Sequence, residues 1–334
     1  MKFLIIRFSS IGDIVLTTPV IRCLKQQAEN AQVHYLTKDA FKGLIESNPY
    51  VDKLHVLKDN LQQLLLELKE EKFDFIIDLH HNLRTLKVKQ ALEGVPAVSF
   101  NKLNIKKWLL TALKVNLMPG VHIVDRYLET VKQFGVKNDG KGLDYFIPEK
   151  DIVPNEDIPA AQSLGYVGLV IGAAHNTKKL PVEKLKELCS TINHPVILLG
   201  GPEDRSIGDE LAELDPVKIY NSCGKFNLNE SADLVRRAKV IITHDTGLMH
   251  IAAAFKKPII SVWGNTVPAF GMTPYFGTAN IAHDLFEVKG LWCRPCSKIG
   301  YSKCPLGHFK CMNKHSVEEI ALKAEGITRV STIR

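Results

Sequence analysis

Short apolar segments alternate with longer amphipathic segments along almost the whole chain. Apolar runs of this length predict strands, and the amphipathic stretches between them predict helices. The predicted strands cover residues 2–8, 32–37, 53–56, 73–79, 97–100, 166–171, 195–199, 218–221, 240–243 and 258–262. Strands that are separated by helices form parallel sheets, so the chain is predicted to be an α/β protein.

A chain of 334 residues is too long for one compact α/β core, so two domains are expected. The segment 148–157, which contains two prolines and several acidic residues, is typical of a linker. We therefore predict two doubly wound domains, residues 1–155 and residues 156–334, that face each other across a central cleft. Such a cleft can assemble a reaction between two substrates at the strand ends of both domains.

The charge of the chain is moderately positive. It has 43 Lys and Arg residues against 36 Asp and Glu residues, a net charge of +7. This excess favours anionic partners, such as phosphorylated sugars or an acidic membrane surface, without requiring nucleic acid. No apolar run approaches the roughly 18 to 20 residues of a membrane span, and the chain starts without a signal-peptide pattern. The protein is predicted to be cytoplasmic, with peripheral association at the inner face of the membrane as an option.

The segment HDTGLMHIAAA, residues 244–254, follows a predicted strand and begins a helical pattern. Asp245, Thr246 and Gly247 are predicted to form the turn, where backbone N–H groups and the helix dipole favour a phosphate. The alternative is structural, with a capping Asp or Thr and a Gly that fits a tight turn. His250 is either a positioning residue for a ligand or a buried core histidine.

A second polar turn follows the first predicted strand. Ser10, Gly12 and Asp13 lie between that strand and a helical pattern, so a carboxylate is expected at a strand end and a helix start. Asp13 is then either a functional carboxylate or a plain capping residue. The loop is not a dinucleotide fingerprint, because the G-x-G-x-x-G pattern is absent.

Four of the seven cysteines gather near the C-terminus, at Cys293, Cys296, Cys304 and Cys311. In a cytosolic chain such a cluster indicates free thiols or a metal site more than a disulfide framework. Four thiolates are enough for one tetrahedral zinc, but the spacing contains a single C-x-x-C pair, which matches zinc ribbons imperfectly. Packed free thiols are the favoured interpretation. Lysines make the segment basic, which suits either an anionic acceptor or a solvated surface.

Several motifs occur in one order along nearly the whole chain. They are RFSSIGDIVLTTPVI at 7–21, FDFIIDLHHNLRT at 73–85, HIVDRYLETVKQFG at 122–135, GAAHNTKKLP at 172–181, VILLGGPED at 196–204, HDTGLMHIAAA at 244–254, and CRPC with CPLGHFKCM at 293–312. In this order the sequence resembles glycosyltransferase family 9, the ADP-heptose:lipopolysaccharide heptosyltransferases of the GT-B fold.

The resemblance implies an inverting, metal-independent transfer that needs no cofactor. The expected donor is ADP-heptose or another nucleotide diphosphate sugar, and the expected acceptor is a lipopolysaccharide core or a related anionic glycolipid. Asp13 matches the family's catalytic base, and Lys178 matches a basic residue that contacts donor phosphate. The family's donor motif falls on Asp245, Thr246, Gly247, Leu248 and His250. Leu180 stands where the family usually has tryptophan, which leaves stacking at this position in doubt.

Elementary chemistry supports the same division of roles. Glycosyl transfer needs a base for the acceptor hydroxyl and N–H-rich or positive groups for the departing diphosphate. Lys178 and the helix start at Thr246 can supply the second, although Lys178 and Lys179 could equally be a solvated surface pair.

The acceptor is predicted to bind the domain that carries Asp13, because a base must reach the hydroxyl that it activates. The predicted acceptor residues are Ser10, Gly12, His80, His81, Asn82 and Arg84, with additional cations at Lys87, Lys102, Lys106 and Lys107. Arg84 is the preferred single candidate, since a guanidinium can hold a carboxylate or phosphate through two hydrogen bonds.

Two alternative functions remain open at this point. A GT-B relative could act as a nucleotide-sugar epimerase or hydrolase instead of transferring the sugar. A zinc-stapled module that binds nucleic acid is the alternative from another class, although the aromatic residues typical of such surfaces are sparse.

Overall fold

A computed structural model of the chain describes residues 1–332, and it contains two parallel β-sheets flanked by helices. The first sheet contains β1 (Lys2–Ile6), β2 (Gln32–Lys38), β3 (Lys53–Leu57), β4 (Phe75–Asp78) and β5 (Ala97–Ser99). Its strand order is β3-β2-β1-β4-β5. The second sheet contains β6 (Val167–Val170), β7 (Val196–Leu199), β8 (Ile219–Asn221), β9 (Val240–His244), β10 (Ile259–Trp263) and β11 (His283–Glu287). Its order is β11-β10-β9-β6-β7-β8.

Helices connect most of these strands. In the first half they are α1 (Ile11–Val15), α2 (Thr18–Gln27), α3 (Leu61–Glu70), α4 (Leu83–Ala91), α5 (Asn104–Trp108) and α6 (Ile123–Leu128). In the second half they are α7 (Ala160–Ser163), α8 (Val182–Thr191), α9 (Arg205–Ala212), α10 (Leu228–Arg237), α11 (Gly247–Ala254), α12 (Lys310–Asn313) and α13 (Val317–Thr332). A π-helical turn, Leu109–Leu113, continues α5.

The chain forms two compact units whose bounds differ from the predicted division at residue 155. Unit 1 comprises Met1–Leu103, Val121–Phe146 and Tyr275–Ala279, and unit 2 comprises Asn104–Gly120, Ile147–Pro274 and the chain from Asn280 onward. The segment 104–120 belongs to unit 2 because Leu110 packs there against Val267 and Phe270. The sequence alone does not reveal that a segment from the first half of the chain packs in unit 2.

Each unit has its own core. In unit 1, apolar residues of β1 and β2 pack with those of α3 and α4 in a cluster that includes Leu4, Leu36, Leu68 and Val88. In unit 2, β6, β7 and β9 pack against α8 and α13. Strands that are buried on both faces read as continuous apolar runs, which is why the sequence reveals them.

The predicted strands are confirmed at all ten positions, and one strand, β11, was not predicted. Its sequence, HDLFE, has only two apolar residues, which lie between polar ones at the edge of the sheet, so it lacks an apolar run. The predicted helix after Asp13 is interrupted at Thr17, and Pro19 lies in the first turn of α2, where a missing N–H is tolerated. Within residues 1–332, no helix is long and apolar enough to cross a membrane.

Candidate functional site

The turn after β1 holds Asp13 through several contacts. Its Oδ2 accepts a hydrogen bond from the Ser10 hydroxyl at 2.9 Å and another from the Ser10 backbone N–H at 3.3 Å. The same oxygen lies 2.8 Å from the guanidinium of Arg7. Asp13, the third residue of α1, therefore completes a capping box with the N-cap residue Ser10 and is also half of an ion pair, with 20% of its side chain exposed. Gly12 lies buried in the same short helix and offers backbone atoms only.

Arg7 was not identified from the sequence, although it organises this turn. Its guanidinium donates to the backbone oxygens of Ser9 and Leu79 at 2.7 and 2.6 Å, and to the Tyr127 hydroxyl at 3.1 Å. The residue is buried, so its position is fixed by these bonds. In the sequence, an arginine at the end of an apolar strand looks like a surface residue that ends the strand. No nearby residue indicates the hydrogen bonds that Arg7 makes.

Asp78 at the end of β4 shapes the loop that carries the predicted acceptor residues. It accepts hydrogen bonds from the backbone N–H groups of His80 and His81, and Lys89 lies 3.0 Å from its carboxylate. Burial alone raises the pKa of Asp78, but the bonds from His81, Thr85 and Lys89 hold it below its usual value. A buried carboxylate thus fixes the loop from within.

The predicted acceptor residues of this loop differ in what they can offer. Burial, together with Arg7 and Lys102, lowers the pKa of His80 to about 4, so its ring is neutral at pH 7. The side chain of Asn82 caps α4 by accepting from the N–H groups of Arg84 and Thr85, which gives it a structural role. The His81 ring lies 3.3 Å from the Phe100 carbonyl.

Arg84 and His80 both lie against the ring of Phe8, which comes just before the Asp13 turn in the chain. The Arg84 guanidinium is 5.5 Å from the centre of the Phe8 ring, and the His80 ring meets Phe8 edge-on at 5.5 Å. Burial and the charge of Arg7 lower the pKa of Lys102. The sequence places Lys106 and Lys107 in the first domain with the other cations, but both lie in α5, which is part of unit 2.

In unit 2, Lys178 and Asp245 form an ion pair at the end of β9. The Lys178 ammonium is 2.6 Å from Asp245 Oδ2, and the Thr266 hydroxyl donates to the same oxygen at 2.9 Å. Two predicted donor residues are therefore adjacent. Thr266, in the turn after β10, contacts this pair through its hydrogen bond to Asp245. The sequence did not identify Thr266, because its role depends on a contact between two turns.

The turn after β9 leads directly into α11. Thr246 is the N-cap residue of α11, and its hydroxyl lies 3.2 Å from that of Thr243. Gly247 and Leu248 are the first residues of the helix and are half-buried. Their N–H groups lie in the first turn, where a helix has no internal acceptors for them. His250 is buried one turn further on, as the core-histidine alternative expects.

The neighbours of Lys178 have structural roles. Lys179 pairs at 2.6 Å with Asp204, which is only 2% exposed. Leu180 packs in the core of unit 2, and its N–H donates to His244 Nε2 at 3.0 Å. Burial, helped by His315 and Lys179, lowers the pKa of His244 to about 3, which keeps the ring neutral as an acceptor. Leu180, at the position where the resemblance leads us to expect tryptophan, is used here for packing.

The cysteine-containing segment braces this region. Arg294 donates to the carbonyls of Gly264 and Thr266 at 2.6 and 2.9 Å, and so supports the turn that contacts Asp245. Thr177, next to Lys178, exchanges hydrogen bonds with the backbone of Tyr301 at 3.1 and 2.8 Å. The segment thus holds both halves of the Lys178–Asp245 pair.

Metal-binding groups are limited in the described part of the chain. The four C-terminal cysteines are unpaired thiols, and burial raises the pKa of Cys311 to about 11. Within residues 1–332, one group offers three ligand atoms within 4.8 Å of one another: His34, His55 and Glu71. Lys2 and Lys53 both pair with Glu71, so its carboxylate already forms ion pairs with two ammonium groups. We therefore assign the cluster of His34, His55 and Glu71 to hydrogen bonding. Zinc binding by the four C-terminal cysteines stays a prediction.

A model of glycosyltransferase family 9 (heptosyltransferase) matches residues 61–301 of the chain. The chain belongs to glycosyltransferase family 9. Membership shows that it is a glycosyltransferase and favours transfer over the epimerase and nucleic-acid alternatives. A lipopolysaccharide heptosyltransferase 1 of Campylobacter coli is 25% identical over 290 residues, which cover 80% of this chain and 84% of the relative.

Solved structures of family 9 share the fold. A glycosyl transferase family 9 structure from Veillonella parvula has a TM-score of 0.79 at 22% identity. The match covers 98% of this chain and 97% of the Veillonella chain. The E. coli ADP-heptose lps heptosyltransferase II has a TM-score of 0.76 at 18% identity, with coverage of 99% and 100%. The predicted GT-B type fold with two Rossmann-like units is confirmed.

Proposed function

We propose that this family 9 enzyme transfers heptose from ADP-heptose to a lipopolysaccharide core or related anionic glycolipid, with inversion and without a metal ion. The observation that carries the proposal is a carboxylate, Asp13, held by Arg7 and Ser10 at a strand end in a chain of this family. Relatives of similar length are lipopolysaccharide heptosyltransferases by name, which supports the sugar and the acceptor class.

In the proposed reaction, Asp13 takes the proton of the acceptor hydroxyl as that oxygen attacks the anomeric carbon of the donor. The bond from this carbon to the diphosphate breaks, and the nucleoside diphosphate leaves with the negative charge. Acceptor contacts come from unit 1, with Arg84 as the main cation and His80 as a neutral hydrogen-bonding ring.

Unit 2 is proposed to bind the donor. Lys178 and the N-terminal N–H groups of α11 would hold the diphosphate, since an ammonium and a helix start both favour oxyanions. The Lys178 ammonium has three donors, so it can contact Asp245 and a phosphate together. These groups can offset much of the diphosphate charge without a metal ion, so EDTA should leave activity intact.

Thermal shift measurements with a panel of nucleotide sugars test the donor. A ligand that binds only the folded state stabilises it, by about 2.7 kcal/mol when its concentration is a hundred times Kd. ADP-heptose should raise Tm more than ADP, UDP-glucose or GDP-mannose, and equally with EDTA present. A larger shift with a different base or sugar, or a shift that requires magnesium, would overturn the donor assignment.

A further inference from the structure

Two segments of unit 2 expose large apolar side chains beside lysines, and the site described above uses none of them. The first is α5 with its π-helical continuation, which exposes Ile105, Trp108 and Leu113. The second is the loop that precedes α12, which exposes Trp292, Ile299 and Leu306. We call these six residues the tryptophan surface.

The helix of this surface presents its apolar side to solvent. Ile105 and Trp108, three residues apart and on one face, are 76% and 53% exposed. Leu110 is buried and packs against Val267 and Phe270, which anchors the helix to unit 2. A surface helix of a globular protein normally turns its apolar face to the core, so the outward face indicates a binding surface.

The two segments are joined directly. Lys114, which follows the helix, donates from its ammonium to the Pro295 carbonyl at 2.7 Å. Trp292 lies three residues before Pro295 in the chain and is 76% exposed. The two tryptophans are therefore presented by neighbouring parts of one unit, and this bond holds those parts together.

The charged residues within the two segments that form the tryptophan surface have a single sign, although Arg294 already pairs with Glu287. Residues 104–120 and 288–317 contain no Asp or Glu. They contain the basic residues Lys106, Lys107, Lys114, Lys289, Arg294, Lys298, Lys303, Lys310 and Lys314. Exposed lysines around apolar side chains complement an anionic surface. They also oppose pairing with a second copy, because both faces would carry the same charges.

We propose that the tryptophan surface docks the enzyme on a bilayer that contains anionic lipids. This inference rests on the proposed function, since a glycolipid acceptor is presented at such a bilayer. Tryptophan rings settle at the boundary between headgroups and acyl chains, and lysine side chains reach the lipid phosphates from there. Each lysine near an anionic membrane adds attraction that salt weakens.

Tryptophan fluorescence can follow this docking without any reaction. The chain has three tryptophans, and the third, Trp263, is buried. Adding vesicles of phosphatidylglycerol and phosphatidylcholine, free of acceptor, should shift the emission to shorter wavelength and reduce quenching by iodide. Vesicles of phosphatidylcholine alone should give a much weaker effect, and added salt should reverse it.

Variants separate the apolar and the charged contributions. Trp108→Ala with Trp292→Ala, and separately Lys298→Glu with Lys303→Glu, should each reduce the vesicle partition coefficient at least tenfold in co-sedimentation. Leu164→Ala with Val217→Ala is the matched apolar control, and Lys132→Glu with Lys150→Glu is the matched charge control. All eight substituted positions are exposed, so the variants should fold.

The outcomes separate this inference from the proposed function. Transfer to a delipidated, water-soluble acceptor should be unchanged in the tryptophan variant, while the apparent KM for acceptor in vesicles should rise. Wild-type protein that does not bind anionic vesicles, or binding that both surface variants retain, overturns the docking proposal and leaves the transfer proposal standing. The wild-type protein could instead self-associate, or bind an oligonucleotide but not vesicles. If the tryptophan variant loses either of these, the surface binds another partner.

Discussion

Asp13 is positioned by contacts that reach beyond its own turn. The Arg7 guanidinium that pairs with it is fixed in turn by backbone oxygens of two segments. Because these bonds hold the carboxylate in one orientation, replacing its charge should affect chemistry much more than folding. Asp13→Asn is expected to reduce kcat by roughly a hundredfold or more, as for the loss of a general base.

The measurement for this variant is steady-state transfer, with circular dichroism and donor binding as checks on folding. Asp39→Asn is the matched control, because Asp39 is an exposed carboxylate in unit 1 that pairs with the exposed Lys42. Turnover close to wild type in folded Asp13→Asn would remove Asp13 from the mechanism.

Lys178 and Lys179 are adjacent in sequence but have different partners. Lys178→Ala should weaken donor affinity by roughly ten- to a hundredfold, since it removes a charge-assisted bond to phosphate. Lys179→Ala leaves the buried Asp204 carboxylate without its cation, so it should lower stability by a few kcal/mol and change donor affinity little. Calorimetric titration with ADP, alongside thermal unfolding, separates the two effects. Equal loss of ADP affinity in both variants would refute this division of roles.

Arg84 is the residue expected to hold an anionic group of the acceptor. Arg84→Ala should raise the acceptor KM roughly tenfold, as expected for a lost charged hydrogen bond, and leave donor affinity unchanged. Lys132→Ala, which removes an exposed lysine elsewhere in unit 1, is the control and should have a small effect. If donor binding falls and acceptor kinetics do not, the two units have been assigned to the wrong substrates.

The sequence identified residues whose signal is local. Asp13, Asp245 and Thr246 follow predicted strands, so their place in turns could be read from the pattern. Arg7, Thr266 and Arg294 escaped, because their partners are far away in the sequence and only the fold brings them together.

At the scale of elements, the strands were predictable because parallel strands buried on both faces appear as short apolar runs. Strand β11 escaped because an edge strand need not be apolar. Helix α5 was misassigned to the first domain, since its sequence does not show that Leu110 packs on unit 2.

Neighbouring strands β2 and β3 carry a pair of buried histidines that should make stability depend on pH. His34 Nδ1 lies 3.0 Å from His55 Nε2, and burial lowers the pKa of both rings, that of His55 to about 4. The unfolded chain binds protons at these rings near pH 6.5, whereas the folded chain does not. The stabilisation is complete above pH 6.5 and is lost as the pH falls towards 4.

For His55 alone, the loss by pH 5 is on the order of 2 kcal/mol. Urea unfolding at pH 7 and pH 5 measures it, and His55→Gln should show a smaller difference between the two pH values. The comparison uses the pH dependence and not absolute stability, because substituting the buried His55 also changes the latter. An unchanged pH dependence in the variant would show that other groups titrate in this range.

At the scale of the whole molecule, the proposed chemistry draws on residues of both units. The proposed base and the arginine expected to bind acceptor lie in unit 1, and the lysine and helix start expected to bind diphosphate lie in unit 2. Family membership establishes glycosyl transfer, and the two-sheet architecture followed from the alternation of strands and helices. The sugar and acceptor could not be derived, because neither turn contains a residue pattern specific to heptose.

Mass spectrometry of the acceptor tests the central claim most directly. Purified enzyme is incubated with ADP-heptose, EDTA and a lipopolysaccharide core glycolipid that lacks heptose, in parallel with Asp13→Asn. We expect a mass increase of one heptosyl residue with the wild-type enzyme and little or none with the variant in the same time. Release of ADP without any gain in acceptor mass, or a gain that the variant produces equally fast, would contradict it.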